Sequence, residues 1–221
     1  MSFGADYFED AEAGAYAGGY DARNPPCKTR AMVRELVSHR PGGALLDVGC
    51  AYGNFLGALR EHGGWSLAGA DVSEHAIAEA QRRLPGMDLR VSALPDLPFE
   101  DESFDVVTAF DVIEHVEDLP AAFRELRRVL RPGGTLAFVV PVYDGLSGPI
   151  VTRLDSDPTH VHKWARNQWL AAAGAYGFVL RDWVGLLRYL VPNGPYLFRR
   201  SRRLRAHCPA VYVFADKSTA P

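Results

Sequence analysis

The side chains best suited to moving a proton near neutral pH are three histidines in two places. His115 follows an apolar stretch at residues 104–110, and His160 and His162 lie in Asp155-Ser156-Asp157-Pro158-Thr159-His160-Val161-His162-Lys163-Trp164. Side chains two apart in an extended segment share a face, so His160 and His162 would approach one substrate together, whereas a bent loop would part them. All three are candidate general bases, with His160 first. Asp155 or Asp157 hydrogen-bonding a histidine would instead pin the loop. Carboxylates beside an imidazole also suit a divalent cation. The spacing Asp-x-Asp-x-x-His-x-His corresponds to no fixed site, however, and no metal is expected.

A second group of residues could hold a ligand. The run Leu45-Leu46-Asp47-Val48-Gly49-Cys50-Ala51-Tyr52-Gly53-Asn54-Phe55 reads as a short apolar strand, a glycine-bearing turn and the start of a helix. Glycine at the end of a parallel strand lets the chain turn tightly and a ligand come close. The N-terminus of the next helix points into the same crevice. Asp71 lies about 20 residues further on, where an acid at the tip of a second strand accepts hydrogen bonds from a ribose diol. A ligand-free turn and a helix N-cap are the plainer readings, although Ser73 already fills the cap role. Together, turn and acid indicate a nucleoside-containing ligand, without separating a dinucleotide from other nucleosides.

These residues need a scaffold, and the pattern supplies one. Strands are expected at residues 44–48, 65–70, 89–91, 104–110, 135–140, 178–183 and 210–215. Helices are expected from Asn24 as N-cap to about residue 40, at 54–62, from Ser73 as cap through Ala76, Ile77 and Ala80, and at 119–130 and 165–176, with Arg131-Pro132-Gly133-Gly134 stopping the fourth. Apolar strands alternating with amphipathic helices give an α/β fold: a doubly wound, mostly parallel seven-stranded sheet with helices on both faces. The last two strands are expected to pair antiparallel at its edge. Residues 1–40 form an N-terminal arm and helix, a candidate lid carrying Tyr7, Phe8, Tyr16 and Tyr20; residues 41–221 form the main domain. Insertions at about 142–164, read as a long loop, and 185–208 would face the substrate.

Composition narrows the class. Of 221 residues, 48% are hydrophobic and 23% charged, enough apolar mass for a core. The apolar runs have the length of strands, not of the roughly 20-residue stretch that crosses a membrane. The net charge of −3 makes nucleic acid an unlikely partner. Arg199, Arg200, Arg202, Arg203 and Arg205 read first as a solvated face, and otherwise as a local patch for a phosphate-bearing or carrier-bound substrate. Cys27, Cys50 and Cys208 form no C-x-x-C pair, and the start of the chain shows no secretion signal, so a reducing cytoplasm is expected.

The resemblance becomes specific when the segments are taken in order. Asp47-Val48-Gly49-Cys50-Ala51-Tyr52-Gly53 resembles the first motif of class I S-adenosylmethionine-dependent methyltransferases. It departs from the dinucleotide pattern G-x-G-x-x-G, with Ala51 at the middle glycine and Asn54 at the third position. Leu97-Pro98-Phe99 through Val107, Phe110-Asp111-Val112-Ile113-Glu114-His115-Val116 and Glu125 through Gly134 are similar to the family's later segments. The resemblance runs from about Ala44 to Pro141.

It implies a Rossmann-like enzyme with S-adenosyl-L-methionine as cofactor and S-adenosyl-L-homocysteine as product. Asp47, Gly49, Cys50, Ala51 and Gly53 would surround the cofactor's amino acid, and Asp71 with Val72 its ribose. The acid that often binds adenine is replaced at Ala93, leaving Ser92 and the backbone near Leu94; Phe110 and Asp111 follow strand four. Tyr16, Tyr20, Tyr143 and Trp164 would meet a small-molecule acceptor, and Arg23, Lys28 or Arg30 the cofactor carboxylate. Methyl transfer needs an acceptor aligned with the methyl group, and an alcohol also needs a base. Oxygen is therefore expected slightly ahead of nitrogen or carbon as acceptor atom. The alternatives are a non-methylating reaction at the same cofactor, or a non-catalytic partner subunit. The resemblance leaves oligomeric state open.

Overall fold

The computed structural model describes residues 3–9, 19–155, 157–187 and 196–219. Its strands are β1 (Gly43–Val48), β2 (Trp65–Asp71), β3 (Asp88–Val91), β4 (Phe104–Phe110), β5 (Leu130–Pro141), β6 (Phe178–Leu187), β7 (Leu197–Arg199) and β8 (Ala210–Lys217). They form one sheet in the order β3-β2-β1-β4-β5-β8-β6-β7. β1 to β5 pair in parallel, which needs crossover connections: helices make those after β1, β2 and β4, and the helix-free segment 92–103 joins β3 to β4. β8 runs antiparallel between β5 and β6, and β7 pairs antiparallel with β6 at the edge.

The helices are α1 (Ala5–Glu9), α2 (Tyr20–Arg23), α3 (Pro26–His39), α4 (Asn54–His62), α5 (Glu74–Arg83), α6 (Leu119–Val129), α7 (Gly148–Leu154), α8 (Arg166–Ala175) and α9 (Arg202–Arg205). Successive strand residues face opposite sides of the sheet, and both faces are covered. Leu46, Val48, Val107, Phe138 and Val213 pack with Phe123 and Leu126 of α6 and Trp169 of α8. Their neighbours Leu45, Val106, Val139 and Tyr212 pack with Leu36 of α3, Leu56 of α4 and Ile77 of α5. Phe123 and Leu126 have no exposed surface, and full burial of such side chains stabilises by about 1.5–3 kcal/mol each. Side-chain caps start two helices: Ser73 accepts from the Ala76 amide (3.1 Å) and Asp118 from the Ala121 amide (2.9 Å).

Four expectations change. The sheet has eight strands; the additional one, Leu197–Arg199, is three residues long, too short to show a period inside a basic, aromatic stretch. The expected loop after β5 contains α7. Asn24 does not cap α3: it closes α2, its side-chain amide donating to the Tyr20 carbonyl (3.0 Å), while Pro25 is the N-cap and Pro26 opens the helix. Residues 131–134 do not separate α6 from β5 but belong to β5, beside a register irregularity on β4 between Phe104 and Val106. No described helix is long and apolar enough to cross a membrane.

Candidate active site

The carboxyl ends of the parallel strands hold a cavity of about 430 Å³, where open α/β sheets bind ligands. Its floor is the turn after β1. The Gly49 and Cys50 amides both donate to the Ala70 carbonyl, at 2.7 and 3.0 Å, so the chain doubles back across the end of β2. Gly49 has φ +74°, and a Cβ there would sit 2.2 Å from Val112 Cγ2, which explains the glycine. Ala51 (φ +45°) and Asp111 (φ +56°) hold left-handed conformations with side chains, and both line the cavity. Strain of this kind is held in place by surrounding structure and gathers at functional sites.

Two carboxylates organise this wall. Asp71 Oδ2 accepts from the Ala51 amide at 2.8 Å and Oδ1 from the Ser73 amide at 2.9 Å. Burial raises its pKa, and the two amides oppose the rise. Asp71 thus ties the turn after β1 to the start of α5. Asp47, at the end of β1, accepts from the Thr108 hydroxyl at 2.6 Å. Burial pushes its pKa up to about 7, with neighbouring Asp71 adding to the rise and Thr108 resisting it. Burial, then Asp47 and Asp71, also drives the Cys50 thiol and the Tyr20 hydroxyl well above their usual ranges.

The N-terminal helices roof the cavity. Phe8 of α1 stacks on Tyr52 (5.2 Å between centroids) and meets the edge of Tyr20 (5.8 Å). Tyr7 lies edge-on to Phe3 at 4.8 Å, and its hydroxyl donates to Asp157 Oδ2 at 3.3 Å. Arg83 anchors α2, with Nη1 and Nη2 donating to Asp21 at 2.9 and 2.8 Å. From α3, Lys28 enters the lining; its ammonium donates to the Arg23 carbonyl at 2.6 Å and lies 5.2 Å above the Tyr196 ring.

The histidines separate. Among them only His115, on the 3-10 turn Ile113–His115, lines the cavity. Thr159 Oγ1 lies 2.8 Å from His115 Nδ1 and donates its own proton to Asp157 Oδ1 at 2.5 Å. The Thr159 oxygen is therefore left to accept, His115 carries its proton on Nδ1, and Nε2 keeps a lone pair. Burial, and then His160, lower the His115 pKa, favouring the neutral ring. His160 sits 4.7 Å from the His115 ring, its Nδ1 2.8 Å from Asp155 Oδ1. Burial works to raise the Asp155 pKa, but Tyr143, Lys163 and His160 together hold it down to about 2. His162 is a loop anchor: Nε2 donates to the Val116 carbonyl at 2.8 Å, and the ring packs edge-on to Trp164. The loop bends rather than extends, because the Val161 and His162 amides both donate to the Glu114 carbonyl at 3.1 Å.

Of the residues singled out in the sequence, Asp47, Gly49, Cys50, Ala51, Asp71, Val72, Ser92, Ala93, Leu94, Phe110, Asp111, Tyr20 and His115 share this cavity. Gly53 is outside the lining, capping α4 at φ +76°. Tyr143 turns to Asp155 (2.6 Å), and Trp164 packs 4.6 Å from Trp169. Tyr16 lies outside the described residues. Lys28 reaches the lining, whereas Arg23 and Arg30 do not. In the arginine run, Arg200 pairs with Glu35 and Asp182, and Arg205 stacks 4.0 Å over Trp183. Sequence reasoning missed Thr108, Thr159 and Tyr196. A hydroxyl in the otherwise apolar Val106–Phe110 run was the available signal for Thr108; Tyr196 carried none.

Residues 46–138 match the family model described as a methyltransferase domain. Over 160 residues the chain is 35% identical to nocamycin O-methyltransferase of Saccharothrix syringae, covering 67% of this chain and 51% of that one. Over 108 residues it is 34% identical to 24-methylenesterol C-methyltransferase 2 of Oryza sativa subsp. japonica, covering 46% and 30%. The chain thus spans less than two thirds of these relatives' own length. The crystal structure of an S-adenosylmethionine-dependent methyltransferase from Thermotoga maritima, described as a possible histamine N-methyltransferase, has the same fold. It aligns with a TM-score of 0.70 at 18% identity, over 87% of this chain and 90% of that one.

Proposed function

We propose that the protein is an S-adenosylmethionine-dependent methyltransferase of the Rossmann-like class I, acting on a small molecule at oxygen in preference to nitrogen or carbon; the match of residues 46–138 to a methyltransferase domain supports this reading. The observation that carries this reading is one cavity lined both by Asp47, Asp71 and the turn after β1 and by His115. Its volume suits a small ligand, and the aromatic roof of α1 keeps water away from it.

The residues present fit the cofactor. Each Asp71 oxygen holds one backbone amide and retains a lone pair for a ribose hydroxyl. The Ser92 hydroxyl gives its proton to the Asp96 carbonyl (2.7 Å), leaving its lone pairs to accept from an adenine amino group. Asp47 and Lys28 bring opposite charges to the cavity, complementary to an α-ammonium and an α-carboxylate. When bound, S-adenosylmethionine supplies a methyl group already activated by its sulfonium charge. The chain's part is to align the acceptor, exclude water and handle the acceptor's proton. The last task falls to the cluster around His115, and the presence of that cluster is the reason for preferring oxygen.

The test is calorimetric titration with S-adenosylhomocysteine, with NAD and NADP as controls. Micromolar affinity for the first alone supports the reading and justifies an acceptor screen that follows S-adenosylhomocysteine release. No binding, or preference for a dinucleotide, sinks it.

A further inference from the structure

Behind the wall that His115 contributes lies a group of side chains that the cofactor does not use. Glu114, His115 and His160 each place one potential ligand atom within 4.8 Å of the other two. Glu114 has no exposed surface, and the His160 side chain is 16% exposed. The three come from two segments, the 3-10 turn after β4 and the loop before α8, brought together by the Val161 and His162 amides on the Glu114 carbonyl.

The surroundings match those of ligating histidines. Such a ring nearly always gives its other nitrogen to a carboxylate, carbonyl or similar acceptor, which fixes its orientation and raises its basicity. Both rings do so here. His160 Nδ1 bonds Asp155, and His115 Nδ1 bonds Thr159, which in turn bonds Asp157. The nitrogen each ring can offer without breaking a bond is therefore Nε2. The carboxylates of the Asp155–Asp157 segment hold the imidazoles, and the direct carboxylate comes from Glu114. Glu114, Asp155, Asp157 and Asp111 bring negative charge to this region, and Lys163, 2.9 Å from Asp155, offsets part of it.

We propose that Glu114, His115 and His160 form a binding site for one divalent cation of the imidazole-favouring kind, such as Zn²⁺, at the His115 wall of the cavity. Two imidazoles and one carboxylate suit Zn²⁺ and its transition-metal neighbours, whereas Mg²⁺ and Ca²⁺ prefer oxygen throughout. Bonds of about 2.1 Å to a tetrahedral ion set neighbouring donors about 3.4 Å apart. Binding the ion would therefore bring the three side chains closer together and tie the loop to the turn. Among the described residues three protein ligands are grouped here, so a position remains for water or an oxygen of the acceptor. An oxygen held there becomes more acidic and would release its proton to solvent, the ion rather than the His115 imidazole stabilising the anion left behind. That last step rests on the methyltransferase reading; the ion site does not.

The experiment uses untagged, chelator-treated protein. Zn²⁺ is titrated by calorimetry, Co²⁺ by its visible absorption, and Mg²⁺ serves as the comparator. The expected result is one equivalent of Zn²⁺ at micromolar affinity or tighter, a Co²⁺ spectrum of low symmetry, and no comparable Mg²⁺ binding. His160→Ala and Glu114→Gln should each weaken Zn²⁺ at least tenfold, with S-adenosylhomocysteine affinity retained as proof of an intact fold. Absence of saturable Zn²⁺ binding by the wild type overturns the proposal. So does unchanged Zn²⁺ affinity in His160→Ala, which would place the ion elsewhere. Zn²⁺ binding without S-adenosylhomocysteine binding would leave the ion site standing and remove the methyltransferase reading.

Discussion

Replacing Thr108 by Val tests whether Asp47 serves the cofactor through its charge. Valine keeps the shape of threonine and removes the hydroxyl that donates to Asp47 Oδ1 at 2.6 Å. Asp47 is 3% exposed, and its pKa lies at about 7. A hydrogen bond to a charged group contributes about 1.5–3 kcal/mol, so its loss should raise that pKa further, by about 1–2. S-adenosylmethionine is the probe: its sulfonium charge does not titrate, and the titration of its α-ammonium, at about pH 8, is measured on the free ligand and corrected for in both curves. If a cationic ligand needs ionised Asp47, wild-type affinity should rise up to about tenfold from pH 6 to pH 8, as the ionised fraction grows from about a tenth to nine tenths. The variant's curve should move to higher pH by about 1–2, making binding at pH 7 about 5–50-fold weaker. Calorimetry across pH 6–8 reads both curves, and thermal melting checks the fold. Superimposable curves would refute the argument. The same pKa has a consequence for the ligand-free protein. The native Asp47 pKa lies above its unfolded value of 3.8, so its contribution to stability is full below that value. It is lost as pH rises towards about 7, by an amount on the order of 4 kcal/mol.

Asp71→Ala removes the acceptor of two backbone amides and should cost about 1–3 kcal/mol for each buried group left unpaired. Urea unfolding should show that loss, and S-adenosylhomocysteine affinity should fall at least tenfold; an unchanged affinity would take Asp71 out of the binding wall. Ala51→Gly relieves a left-handed alanine at φ +45° and should stabilise the protein by up to about 1 kcal/mol, read as a higher urea midpoint. A lower midpoint would mean that the alanine methyl contributes more through packing than it costs in strain. Phe8→Ala deletes a side chain that is 3% exposed and stacked on Tyr52, so α1 should open more often. Faster proteolysis near the N-terminus and faster S-adenosylhomocysteine release are expected; an unchanged release rate would mean that α1 is not a lid.

What could be read from the sequence was what the local chain dictates. The turn at Gly49 follows from one residue type and a strand end, and Asp71 from its place at the tip of the next strand. The layered sheet follows from alternation along β1, β4 and β5. The lost information lay in contacts between distant segments. His160 looked the better base because it stands in a loop rich in chemistry. The backbone bonds from Val161 and His162 to Glu114 bend that loop, leaving His115 at the cavity wall and His160 behind it. Tyr143, bonded to Asp155, likewise lies outside the cavity lining. Thr108 acts through a neighbouring strand, in register with Asp47, and pairing partners cannot be read from one strand alone.

The place of β8 sets an order of events during synthesis. β1 to β5, whose ends build most of the cavity wall, emerge first and can pair among themselves. β6 and β7 emerge next, but their route into the sheet runs through β8, which is made after both. Until it arrives, β5 presents an unpaired edge along the residues that β8 will cover, Thr135 to Pro141. This edge is apolar and ready to accept a foreign strand. A ribosome paused before residue 210 would thus hold a chain with a nearly complete ligand site and its most aggregation-prone backbone exposed. The cavity and the protection of the sheet are completed by different parts of the chain, at different times.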